Sequence, residues 1–383
     1  MIEFDESLAA AREKVVAAYR DWPRKGFADF MKLTPIPDEA GRQGRPAWVP
    51  GNELPWDVLF QNTKEQQLGH KRWAASGGCV YAQASLAAAR AIEEEERQRK
   101  EATGDALPRT GIHGVFMAPG LSDRPFLFDV SSVGDARTFF GRRIDVRQPA
   151  QPSSDREGPF PESDAELPLK EICYSCIKTF KRPTENIDDV QSPESAQKRY
   201  ADLLSQRAPD QWEHAPQFDV DINNALFPGA GHGAFPVLDI YKVDMSRWNE
   251  GKEVPDRRQL LLYRPISPIP RNDINGHIAC HAFETDRNSL TMIANHMGYG
   301  MNMGVAATLS CCFFVHTNPE DAVMEGDGWW IQEINWPRVV AGRAMMESRI
   351  WSPQGKHVAS AFQDGLVKPA KAPLSVKETS AKL

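Results

Sequence analysis

The 383-residue sequence lacks any run of 18 uninterrupted apolar residues, which excludes a bilayer-spanning helix. Its first residues, Met1-Ile2-Glu3-Phe4-Asp5-Glu6, are acidic and have no apolar core, so no secretory signal is expected. Positive charge is also short: 45 Lys and Arg against 52 Asp and Glu leave a formal charge of −7. That balance argues against nucleic acid, whose phosphates call for clustered Lys and Arg, though a local basic patch would still serve a small polyanion. Six cysteines in so long a chain with no export signal do not make a disulfide framework and read as reduced and mostly buried. No Gly-x-Ser-x-Gly elbow occurs. Gly229-Ala230-Gly231-His232-Gly233 has no strand before it, so it is not read as a dinucleotide loop. Cys173 and Cys176 fall in a strand, where residues three apart point to opposite faces, which excludes a zinc knuckle. His277, Cys280 and His281 share a helical turn but have no evident further ligand, so neither metal nor redox cofactor is expected.

The length exceeds what one core spans and predicts two domains. A first helix starts at Ser76-Gly77-Gly78 and carries a small-residue stripe, Val80, Ala84, Ala87 and Ala91, before a fully charged end beyond Ile92 that should project into solvent. Strands follow over Gly114–Met117, Phe126–Val130, Thr138–Val146 and Glu171–Phe180, interrupted by a surface loop near 149–168. Residues 183–236 are irregular and polar, with one short helix near Ser195–Ser205, and read as a linker between domains spanning 20–182 and 237–368. The second half repeats the layout. A long helix is capped by Asn272 or Asp273 and ends at Gly298/Gly300; strands follow over Val305–Val315 and Gly328–Trp336, then a hairpin pairs Arg343–Trp351 with His357–Lys368. One helix followed by antiparallel strands, twice over, is an α+β arrangement.

Within the second helix, Ala279, Phe283, Asp286, Leu290, Ile293 and Met297 share one face. Asp286 is therefore a carboxylate in an apolar stripe, where burial should raise its pKa as a general base requires. Spacing alone leaves open an Asp at the stripe's edge paired with an Arg. In the last strand Gln363 ends a face otherwise made of Ala359 and Ala361, and Thr308 lies in the strand after the Asp286 helix.

The stretch Glu347–Lys368 resembles the closing hairpin of the acyl-CoA thioesterase II family, as do Phe283-Glu284-Thr285-Asp286 and Ala307-Thr308-Leu309. In the first half Gly77-Gly78, Gln83, the run from His113 to Gly120 and Phe139-Phe140-Gly141-Arg142-Arg143 resemble its N-terminal domain. The resemblance covers roughly residues 25–147 and 237–368. It implies two tandem hot-dog domains, each a long helix wrapped by a curved antiparallel sheet, and hydrolysis of fatty acyl-CoA to free acid and CoA. It also implies a water held by Asp286, Thr308 and Gln363. Gly77 and Gly78 are candidates for polarising the carbonyl; Arg142 and Arg143 are candidates for the nucleotide phosphates, with surface ion pairs as the alternative. Where many relatives carry Asp-His, this chain has Ser310-Cys311, and Ser76-Gly77-Gly78-Cys79 stands for Phe-Gly-Gly-Gln. The last residues, Ala381-Lys382-Leu383, are close to a peroxisomal address on a Lys- and Pro-rich tail, so the import receptor is an expected partner and the matrix the expected location. A fused pair could remain a monomer or form a homo-oligomer. Another hot-dog acyl-CoA enzyme (a hydratase, acyl transferase or pathway-specific hydrolase) and a non-catalytic acyl-CoA binder are the alternative readings.

Overall fold

The computed structural model describes residues 23–34, 42–46, 76–99, 109–121, 123–155, 160–185, 187–215, 229, 231–232, 235–287, 290–299 and 303–369, with four isolated positions before residue 23. The tail that ends in Ala381-Lys382-Leu383, read above as a peroxisomal address, lies outside them. Among the described residues no helix is long and apolar enough to cross a membrane. All six cysteines are free, five of them buried.

Strands of the first half are β1 (Leu33–Thr34), β2 (Arg42–Pro46), β3 (Arg109–Phe116), β4 (Leu127–Asp135), β5 (Phe139–Arg147) and β6 (Tyr174–Lys181). Those of the second are β7 (Glu213–His214), β8 (Leu238–Lys242), β9 (Gln259–Pro265), β10 (Met303–Val315), β11 (Trp330–Val340), β12 (Arg343–Trp351) and β13 (His357–Pro369). They form one antiparallel sheet in the order β1-β2-β4-β5-β6-β3-β10-β13-β12-β11-β9-β8-β7. The run β3-β6-β5-β4-β2 is repeated outward from the centre as β10-β13-β12-β11-β9, and β3 meets β10 with Gly114 opposite Cys311 and His113 opposite Cys312. Two long helices complete the repeat: α1 (Gly77–Arg99) and α2 (Ile274–Asp286). This is the α+β double hot-dog.

The helices run antiparallel and touch directly. At one end Gly78 lies against Phe283 and Asp286; at the other Arg90 pairs with Asp273 at 2.8 Å and Asn275 donates to Glu93 at 3.0 Å. Small side chains permit this approach. Val80, Ala84, Ala87 and Ala91 are all buried, and enlarging an alanine there would overpack the core by about 1–3 kcal/mol. In the charged stretch of α1, Glu95 takes a 2.6 Å ion pair from buried Arg142.

α2 starts as expected, with the Asp273 carboxylate accepting from the Gly276 N–H at 3.0 Å. It stops well before Gly298, because Arg287 turns extended and its buried guanidinium engages Glu284 (3.3 Å) and the Ala215 carbonyl (3.1 Å). The apolar stripe continues in a separate short helix, α3 (Ile293–Met297), which Gly298 ends in the left-handed conformation at φ 67°.

The linker is structural. Its two short helices, Ala196–Arg199 and Ala201–Leu204, bring Tyr200, Leu203 and Trp212 onto the outer face of β9, β11 and β12 against Leu260, Leu262, Ile331 and Trp351. Buried Glu333 accepts hydrogen bonds there from Arg199 (2.8 Å), the Tyr200 hydroxyl (2.8 Å) and the Trp351 indole (3.1 Å). The loop after β5 is closed at its base by a bridge between Pro149 and Leu169.

Candidate active site

Asp286 is the last residue of α2, half-buried where the two helices meet. Thr308 comes from β10 and Gln363 from β13, adjacent central strands. A bulge between Thr308 and Ser310 shifts the alternation of β10, so Thr308, not Leu309, joins Cys311 on the face that looks at α2. Gln363 shares the inward face of β13 with Ala359, Ala361, Gly365 and Val367. Gly365 is needed opposite Thr308: a Cβ there would lie 2.1 Å from the Leu290 side chain and 2.6 Å from the Ala307 carbonyl oxygen.

Three side chains distant in sequence thus converge. The Thr308 hydroxyl donates to Asp286 Oδ1 at 3.1 Å. The Gln363 amide Nε2 donates to the same oxygen and, at 2.7 Å, to Thr308 Oγ1. A third donor to the carboxylate is the Gly78 backbone N–H from the start of α1. Gly77 closes the other side, where a Cβ would lie 2.9 Å from Asp286 Oδ2 and 3.2 Å from the Phe116 ring. The site is therefore built across the two domains.

Burial pushes the Asp286 carboxyl up to about 6, and the donors from Thr308, Gly78 and Gln363 restrain the rise. The carboxylate is then the main form at neutral pH while remaining a far stronger base than an exposed Asp. The flanking thiols stay protonated: burial raises Cys79 to about 12 and puts Cys311 well above its ordinary range. Neither offers the thiolate that nucleophilic attack needs. Tyr174, whose hydroxyl lies 3.9 Å from Cys311 Sγ, is likewise held neutral by burial. It backs the site from the first domain; the sequence offered no pattern that would single it out.

The structure does not bring Arg142 to this site. Its guanidinium is buried and bound to Glu95, Asp135 and Ser132. Glu95 lies seventeen residues beyond Gly78 on α1, roughly 26 Å at 1.5 Å per residue. Arg142 thus locks β5 to α1, and its assignment to nucleotide phosphates is corrected. Arg143 is exposed and paired with Asp145 at 2.9 Å, the surface ion pair of the alternative reading. Both ring nitrogens of His281 are engaged, by the Tyr263 hydroxyl (2.8 Å) and the Ala322 carbonyl (2.9 Å). Those of His277 meet the Met324 N–H and the Pro270 carbonyl. Among the described residues no three His, Cys, Asp or Glu side chains are placed to hold a metal.

Residues 226–367 match the family model of the acyl-CoA thioesterase C-terminal domain, a span that contains Asp286, Thr308 and Gln363. The match to that acyl-CoA thioesterase domain thus lies in the second half of the chain. Hydrolysis of acyl-CoA thioesters is the activity class that goes with this thioesterase domain. Similarity to solved structures extends over both halves. A TesB2 acyl-CoA thioesterase II from Mycobacterium marinum shares 17% identity over 90% of this chain and 99% of its own, with a TM-score of 0.55. A tesB protein from Mycobacterium avium subspecies paratuberculosis shares 17% over 90% and 98%, at 0.54. A hot-dog protein from Alicyclobacillus acidocaldarius shares 14% over 91% and 98%, at 0.55. At these identities the likeness establishes the fold. No curated protein matches the sequence.

Proposed function

We propose that this thioesterase hydrolyses fatty acyl-CoA by direct attack of one water held by Asp286, Thr308 and Gln363. The observation that carries the reading is the convergence of a helix-end carboxylate, a strand hydroxyl and a strand amide. Among the described residues Gln363 Oε1 is buried without a hydrogen-bond partner, an acceptor suited to one proton of such a water. Asp286 takes the other proton as the water oxygen bonds to the thioester carbon. Collapse of the tetrahedral intermediate breaks the C–S bond, and the proton on Asp286 passes to the departing CoA sulfur. A thioester is electrophilic enough to need no covalent enzyme intermediate, and general-base help is worth roughly 10²–10⁴ in rate. A hydratase of this fold would want an Asp/His pair on one helix start, whereas His296 is ten residues from Asp286 and packs against Trp336 with ring centroids 4.3 Å apart.

The test is release of CoA thiol from acyl-CoAs of graded chain length, comparing wild type with Asp286→Asn. The proposal expects release by the wild type and a loss of at least about 100-fold in the variant with binding retained. Binding without release at any chain length would instead identify an acyl-CoA binder. Peroxisomal delivery through Ala381-Lys382-Leu383 belongs to the same proposal. A fluorescent protein fused to residues 369–383 should enter peroxisomes and stay diffuse once the tripeptide is removed; diffuse signal from both would exclude the address.

A further inference from the structure

The first turn of α1 carries an N–H that the helix itself does not use. Ser76 precedes α1, and its carbonyl takes the N–H groups of Cys79 (3.2 Å) and Val80 (3.4 Å). The Gly78 N–H belongs to the four donors that a helix start leaves unpaired, where the helix dipole also favours negative charge. It is given to the Asp286 carboxylate. A side chain here is crowded: a Cβ on residue 78 would lie 3.1 Å from the Phe283 carbonyl oxygen and 3.3 Å from both Asp286 Cβ and Oδ2, so its neighbours would have to give by a few tenths of an ångström. The first domain has no carboxylate between residues 77 and 92 of its own helix.

We propose that Gly78 is a positioning residue for Asp286, so that the first domain, without a base of its own, holds the base of the second through the start of α1. This deepens the water-attack reading and rests on it. It reassigns Gly78 from polarising the substrate carbonyl to fixing the group that takes the water's proton. Among the described residues the titratable groups facing this carboxylate are Cys79 from α1 and Cys311 from β10, with Tyr174 of β6 behind Cys311, and burial keeps all three neutral. The remaining neighbours, Thr308 and Gln363, do not titrate.

The wild-type protein supplies the first test. The Gly78 amide resonance, followed by NMR against pH, should shift with a midpoint near 6, and this transition should vanish in Asp286→Asn. A Gly78 amide that shows no such transition overturns the proposal whether or not the chain hydrolyses acyl-CoA. A pair of variants supplies the second. Proline is tolerated in a helix's first turn, so Gly78→Pro deletes the donor, whereas Gly78→Ala crowds the site but keeps it. Loss of one hydrogen bond to a carboxylate should move the acid limb of kcat/KM upward by about one pH unit in the proline variant relative to the alanine one. Equal limbs in the two variants overturn it.

Discussion

The two halves of this chain share one strand order yet fill it differently. The inward face of β13 carries Ala359, Ala361, Gln363, Gly365 and Val367, small groups around a single amide. The corresponding face of β6 carries Tyr174, Cys176, Lys178 and Phe180, whose bulk fills the space beside α1. α2 ends in a carboxylate, whereas α1 begins with two glycines. Outside, the second half is covered by the linker, while the first leaves Val115, Val133, Phe139 and Ile177 between 45% and 59% exposed. On the proposed mechanism, one half of the repeated fold supplies the chemical groups and the other their wall and a backbone donor. The chemistry follows from which face kept room near a helix end.

The largest expected effect tests that division. Gln363→Leu should lower kcat by roughly 100-fold, as loss of the water-holding set implies. Lys178→Met, on the matching strand of the first half, should leave kcat within about threefold; comparable losses from both would mean that the first half takes part in the chemistry.

Next in size is the covering of the second half. Glu333→Ala strands the Arg199, Tyr200 and Trp351 donors and should destabilise the protein by about 3–5 kcal/mol in urea unfolding, with kcat per folded molecule unchanged. A loss below about 1 kcal/mol would show that the linker is not held by this carboxylate.

Asp286 itself should carry a stability cost that depends on pH. Its folded pKa, near 6, lies above the ordinary carboxylate value. The folded state therefore binds the proton more tightly, and stability from this group is full below about pH 4 and lost as pH rises through 6. Asp286→Asn should then gain on the wild type between pH 4 and pH 7 by up to about 3 kcal/mol, read from thermal unfolding at each pH. A constant difference across that range would place the carboxyl in a more watery setting.

The smallest effect is expected at Arg143. With its side chain about half exposed and paired only to Asp145 in the described structure, Arg143→Ala should change stability by less than about 0.5 kcal/mol and leave KM for acyl-CoA unaltered. A rise in KM would restore it as a phosphate contact.

Much of this site was legible because it rests on local periodicity. Alternation in β13 put Gln363 with Ala359 and Ala361, and helical spacing put Asp286 in an apolar stripe. What escaped the sequence depends on distant partners. α2 ends at Asp286 because Arg287 finds Glu284, the Ala215 carbonyl and the Phe235 ring, and no local signal marks that stop. The bulge that turns Thr308 inward is a matter of register between strands. Arg142 read as a surface cation because its partners, Glu95 and Asp135, lie on other elements. The linker's polarity hid Tyr200 and Trp212, two rings that seal a second apolar cluster.

The central claim is that a half-buried Asp286, held by three donors, is the base that activates water. The most direct measurement is kcat/KM of the wild type for one good acyl-CoA between pH 4.5 and 8.5. The account predicts a tenfold loss per unit below a limb near pH 6, set by protonation of Asp286. A limb near pH 4, as for an exposed carboxylate, or no limb at all, would contradict it.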